Sequence, residues 1–166
     1  PNDPPARSTV EVAKLPIDAR FRVDVDALSA RVSRDRAEGK RPFLVVAHAG
    51  TTNTGAVDRL ADIARVCARE DLWLHVDAAY GFGALFSDRF AGMLDGIGSA
   101  DSITLDLHKV GWQPAAASLL LLADTDSFSS LDRSVAYLNP EDDIEAGFGG
   151  QLGLTLQTTR RPDVLK

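Results

Sequence analysis

The chain has 166 residues, 45% hydrophobic and 25% charged, with Lys+Arg 18 against Asp+Glu 24 and a formal net charge of -6. That is the balance of one soluble globular segment. The acidic balance and the lack of any Lys/Arg-rich run exclude a nucleic-acid surface, and no apolar run approaches the roughly 18 residues of a membrane span. One cysteine, Cys67, excludes an intramolecular disulfide and any multi-cysteine metal site. The start, Pro1-Asn2-Asp3-Pro4-Pro5, has neither the basic nor the apolar region of a signal peptide, so the expected compartment is the cytoplasm.

Residues 1 to 10 hold three of the eight prolines and read as irregular. Asp24 to Val32 fits an amphipathic helix, with Val25, Leu28 and Val32 at helical spacing after an acidic start and Gly39-Lys40-Arg41-Pro42 as its stop. Phe43-Leu44-Val45-Val46-Ala47, bounded by Pro42 and Gly50, reads as a buried strand. Beyond the turn Gly50 to Gly55, the positions Val57, Leu60, Ala61, Ala64, Cys67 and Ala68 form a helical stripe. Asp58 and Asp62 near its start and Arg65 and Arg69 near its end suit the macrodipole. Leu72 to Val76 is a second buried strand; a helix is expected within 87 to 97, then strands at 101 to 105 and 117 to 122. This alternation predicts an α/β fold, a mostly parallel sheet flanked by helices, with no internal domain boundary across 1–166.

In such sheets ligands sit beyond the carboxyl ends of the strands. That rule singles out His48 to Thr54, Asp77 to Gly83 and Asp106 to Lys109. Asp77 follows a strand directly and precedes the small residues Ala78 and Ala79, so its carboxylate is poised to hold a cation beside a flat ligand. Lys109 converges on the same edge, where partial removal from water would ease loss of its proton and make it a nucleophilic amine. The competing reading is a plain Asp77–Lys109 ion pair.

Three motifs carry a resemblance: Ala49-Gly50-Thr51-Thr52-Asn53-Thr54-Gly55, His75-Val76-Asp77-Ala78-Ala79-Tyr80-Gly81, and Ala100-Asp101-Ser102-Ile103-Thr104-Leu105-Asp106-Leu107-His108-Lys109. In order and spacing they resemble the group II pyridoxal-phosphate-dependent amino acid decarboxylases, of the aspartate-aminotransferase fold (fold type I). The resemblance implies that Lys109 forms the Schiff base with the cofactor aldehyde and that Asp77 pairs with the pyridine nitrogen, keeping it protonated. It further implies that Ala79 lies against a ring face, Thr52 near the ring substituents and substrate, and His108 near the cofactor phosphate. The implied reaction releases carbon dioxide from an L-amino acid and leaves an amine.

Lys109-Val110-Gly111-Trp112-Gln113-Pro114, the segment Tyr137 to Asp143, and Gln157 to Asp163 are similar to bacterial siderophore-pathway lysine decarboxylases and their ornithine and diaminobutyrate relatives. Aromatic decarboxylases more often carry tryptophan after the lysine, where this chain has Val110. The substrate expected is therefore a basic diamino acid, L-lysine first, in siderophore or polyamine biosynthesis. Glu141-Asp142-Asp143 is a candidate for recognising a distal ammonium. Alternatives are an aromatic amino acid decarboxylase, an aldehyde synthase, and a cofactor-binding homologue without turnover. The resemblance places 1–166 in the central-to-late part of the cofactor-binding large domain, without the upstream phosphate-binding segment or the C-terminal small domain, so that these residues alone would be inactive. It also implies a homodimer.

The remaining candidates have plainer readings. His48 reads as a packed strand-end histidine, His75 as a core or supporting group on the strand face of Asp77, and Cys67 as core. The three histidines do not make a zinc site. Gly147, Gly149 and Gly150 read as a loop, and Arg160-Arg161 as a salt-bridge or anion anchor.

Overall fold

A computed structural model describes residues 10–131 and, beyond them, Asp142 and residues 145–147. Most of the segment Tyr137 to Asp143, all of Gln157 to Asp163, Gly149-Gly150 and Arg160-Arg161 lie outside the described residues.

Helix α1 spans Val25–Ala37, longer than its apolar stripe predicts. Asp24 caps it: its Oδ1 accepts from the amides of Asp26 at 3.0 Å and Ala27 at 3.1 Å, satisfying donors that the first turn leaves without partners. It stops before Gly39, whose φ of 77° is open to glycine without strain. Leu28 and Val32 face the core.

Strands β1 (Leu44–His48), β2 (Trp73–Asp77) and β3 (Ser102–Asp106) are parallel, and β4 (Ser118–Leu122) returns antiparallel beside β3, in the order β1-β2-β3-β4. Helix α2, Leu60–Arg69, connects β1 to β2. The mostly parallel α/β sheet is as expected.

Two expectations are corrected. The strands β1 and β2 are buried on one face only: Val45, Ala47, Leu74 and Val76 are in the core, whereas Leu44, Val46 and Trp73 on the other face are 39–46% exposed. Their uninterrupted apolar runs do not report that asymmetry, because a run without polar interruption looks the same whether one or both faces are covered. The α-helix expected within 87 to 97 is replaced by short 3₁₀ turns at Ala91–Leu94 and Ile97–Ser99. Gly96 explains the break: its φ is +93°, and a Cβ there would lie 2.4 Å from the Ala61 amide nitrogen, so the chain turns left-handed against α2.

The core lies between the helices and one sheet face, around Leu60, Ile63, Leu74, Val76 and Leu94. Burying each such aliphatic side chain contributes roughly 1.5–3 kcal/mol. Cys67 lies in this cluster as expected, and burial pushes its thiol up to about 11, which keeps it protonated and inert. Asp58 departs from its expected role at a helix start. It is buried, and its carboxylate accepts from Val23 N–H at 2.7 Å and His48 N–H at 2.8 Å, tying the approach to α1 to the end of β1.

Candidate active site

Because β1, β2 and β3 are parallel, their carboxyl ends bring His48, Asp77 and Asp106 to one edge of the sheet. The side chains of His48, Asp77, Thr104 and Asp106 share the face that the helices leave open, since directly paired residues in a sheet lie on the same side.

Two loops build the floor of this edge. Gly50 and Gly81, following β1 and β2, meet backbone to backbone: a Cβ on Gly81 would stand 1.9 Å from the Ala49 carbonyl oxygen, and one on Gly50 2.9 Å from the Gly81 nitrogen. Thr52 is exposed in the first loop, where Thr51 Oγ1 and Thr54 Oγ1 are 2.6 Å apart and hold the turn. Ala79 is partly buried in the second.

Asp77 Oδ1 accepts from the Ala79 amide at 3.0 Å, which orients the carboxylate. Its other oxygen, Oδ2, lies 3.8 Å from His48 Nδ1. Among the described residues no lysine or arginine lies within ion-pair distance of Asp77, and its side chain is 43% exposed.

Lys109 does not pair with Asp77, so the plain ion-pair reading fails. Its Nζ lies 2.5 Å from Asp106 Oδ2 and 4.7 Å from the centre of the Tyr80 ring. The expectation that partial burial would ease proton loss is also corrected. The hydrogen bond to Asp106 raises the Lys109 pKa, outweighing desolvation, and Asp77 adds a smaller contribution of the same sign. Burial pushes the Asp106 pKa up, but the hydrogen bonds from Lys109 and Ser118, together with the nearby charge of Lys109, lower it on balance. Replacing Asp106 with asparagine in the full-length apoprotein removes the largest influence that keeps Lys109 protonated. Each unit by which the lysine pKa falls gives about tenfold more free amine near neutral pH. Stopped-flow absorbance should show added pyridoxal phosphate joining Asp106→Asn several-fold faster; an unchanged rate would show that Asp106 does not control the amine.

His108 Nδ1 lies 3.0 Å from the Ala117 carbonyl oxygen and 3.3 Å from its amide nitrogen, which fixes the ring against the segment leading into β4. The face below Asp77 carries a polar ladder that sequence reasoning missed apart from His75. Trp73 Nε1 donates to Ser102 Oγ at 2.8 Å, His75 Nδ1 is 2.8 Å from the same oxygen, and His75 Nε2 is 3.4 Å from Thr104 Oγ1. Its signal was present as two period-2 patterns, Trp73-His75-Asp77 and Ser102-Thr104-Asp106. His48 is the other residue underestimated. It is 46% exposed and faces Asp77, where a packed strand-end histidine was expected.

One edge of the sheet thus carries an exposed carboxylate, a lysine held by a neighbouring aspartate, and two loops in close backbone contact. The family model of the pyridoxal-dependent decarboxylase conserved domain matches residues 6–166, and the chain belongs to that family. It is 46% identical over 155 residues to an L-2,4-diaminobutyrate decarboxylase of Rhizobium meliloti (strain 1021), covering 93% of this chain and 31% of the relative. It is 39% identical over 159 residues to an aromatic-L-amino-acid decarboxylase of Bacillus atrophaeus, covering 94% of this chain and 33% of the relative. The crystal structure of Oryza sativa TDC with PLP and tryptamine superposes with a TM-score of 0.77 at 29% identity, covering 90% of this chain and 31% of that one. The chain thus spans about a third of the length of these relatives, and its fold is that of the pyridoxal-phosphate decarboxylases. Among the described residues no helix is long and apolar enough to cross a membrane, and no group of three or more His, Cys, Asp or Glu side chains is placed to hold a metal.

Proposed function

We propose that the full-length protein is a pyridoxal-phosphate-dependent decarboxylase of a basic diamino acid, with Lys109 and Asp77 as the residues that hold the cofactor. The observation that carries this reading is the separation of partners at the sheet edge. Asp106 takes the lysine, and Asp77 stays open to a cationic nitrogen. When bound, the cofactor supplies the electron sink for cleavage of the bond between the α-carbon and its carboxylate.

The chain's own residues then have distinct tasks. Asp77, oriented by the Ala79 amide, would accept a hydrogen bond from the ring N–H and so favour the protonated ring. Lys109, once its ammonium proton has passed to solvent or to Asp106, would supply the nucleophilic amine. Ala79 offers a small side chain to the ring, Thr52 an exposed hydroxyl near the substrate, and His108 an imidazole for the phosphate. We place these residues in the central-to-late part of the cofactor-binding large domain and expect the whole enzyme to be a cytoplasmic homodimer.

Within the diamino acids, the similarity to a diaminobutyrate decarboxylase moves 2,4-diaminobutyrate ahead of lysine as the first substrate to test. Siderophore or polyamine synthesis is the setting that would use such an amine. The second reading, an aromatic substrate, is supported by the aromatic decarboxylase relative. Carbon dioxide, amine and aldehyde are to be measured with the full-length protein on diaminobutyrate, ornithine, lysine, tyrosine and tryptophan. We expect amine, with no aldehyde, and a kcat/KM at least tenfold higher for one diamino acid than for either aromatic. The reverse order would overturn the diamino reading, and aldehyde as the main product would overturn decarboxylation.

A further inference from the structure

We infer that His48 is a positioning residue for Asp77, and that its protonated imidazole competes with the cofactor's ring nitrogen for the Asp77 carboxylate. This rests on the reading of Asp77 as the carboxylate that holds that nitrogen.

The two residues are direct partners across the parallel β1–β2 register, with Nδ1 3.8 Å from Oδ2. Asp77 Oδ1 is engaged by the Ala79 amide, so the oxygen that His48 faces is the one left for the ring. The His48 backbone is anchored from both sides by one residue. Its amide donates to Asp58 Oδ2 at 2.8 Å, and its carbonyl accepts from the Asp58 amide at 2.9 Å. An anchored backbone projects a half-exposed imidazole toward a half-exposed carboxylate, and a small rotation brings the two into contact.

The other imidazole at this edge, His75, is set up differently. Ser102 Oγ accepts from Trp73 Nε1 at 2.8 Å and lies 2.8 Å from His75 Nδ1, while His75 Nε2 lies 3.4 Å from Thr104 Oγ1, so both ring nitrogens have hydroxyl neighbours. Burial lowers the His75 pKa, outweighing the opposing pull of Asp77, which disfavours a charge on this ring. The other charged or titratable groups around the pair are Lys109, neutralised by Asp106, the Tyr80 phenol over which that lysine sits, and Asp58 behind the His48 backbone. Among the described residues, His48 is thus the group placed to bring a positive charge to the open oxygen of Asp77. A protonated His48 gives Asp77 an internal partner and weakens its hold on the cofactor.

The test is equilibrium binding of pyridoxal phosphate to the full-length apoprotein between pH 5.5 and 8.5, for wild type, His48→Thr and His48→Gln. Both replacements suit a half-exposed strand end and carry no titrating group. From pH 8 to pH 6 the wild-type dissociation constant should rise about three- to tenfold more than that of either variant. In an Asp77→Asn background, His48→Thr should leave the pH profile unchanged. Parallel profiles for wild type and the single variants would overturn the role of His48, as would an effect of His48→Thr that persists without the Asp77 carboxylate. Failure of the wild-type apoprotein to bind the cofactor at any pH would instead overturn the cofactor reading on which the inference rests.

Discussion

Replacing Lys109 with alanine in the full-length protein abolishes the visible absorbance of the enzyme-linked cofactor and lowers decarboxylation on the order of a thousandfold or more. The expectation follows from the placement of the amine. Lys109 sits three residues beyond the end of β3, on the edge where Asp77 also emerges, and its charge is satisfied by Asp106 at 2.5 Å. Alanine removes both the nucleophile and the ion pair, so a second variant separates them. Lys109→Arg keeps a cation for Asp106 but has no amine that reacts at neutral pH. It should unfold within a few degrees of wild type and still lack the cofactor absorbance. A Lys109→Arg protein with wild-type absorbance and turnover would reduce Lys109 to a structural cation.

The largest expected effect on stability comes from a residue with no side chain. Gly81→Ala should destabilise the protein by at least about 3 kcal/mol, measured as a fall in the midpoint of denaturant unfolding. The new Cβ would stand 1.9 Å from the Ala49 carbonyl oxygen and 2.5 Å from its carbon, and both are backbone atoms that no rotamer change can move away. Relief requires the loops after β1 and β2 to separate, which carries Thr52 away from Asp77 and Ala79. Cofactor affinity should therefore fall together with stability. Gly92→Ala is the control: a Cβ there meets nothing within 4 Å, and its cost should stay below about 1 kcal/mol. Equal losses for the two variants would show that the Gly50–Gly81 contact is unimportant.

What could be read from the sequence was set by how local its causes are. The strands were legible from short apolar runs between Gly and Pro, and α1 from its spacing and its acidic start. Lys109 and Asp77 stood out because a parallel sheet sends its strand ends to one edge. The Asp106–Lys109 contact spans three residues along the chain and was still missed, because the converging strand ends of a parallel sheet offer Lys109 a second partner in Asp77. Asp58 was misread for another reason. Its partners, Val23 and His48, lie 35 and 10 residues away, and nothing local marks an aspartate as buried. The missing helix near residue 90 turned on Gly96, whose contact with Ala61 is likewise tertiary.

The Asp106 carboxylate divides its two oxygens between different tasks. Oδ1 accepts from Ser118 Oγ at 2.5 Å, across the β3–β4 register, and Oδ2 holds Lys109. One oxygen is therefore fastened to the sheet whether or not the amine is docked. In the proposed role of Lys109, the carboxylate would keep its orientation when the lysine swings away, and the berth would be aligned for its return. The reorganisation would then fall on the rotatable bonds of a single side chain, with no part for the backbone of the sheet.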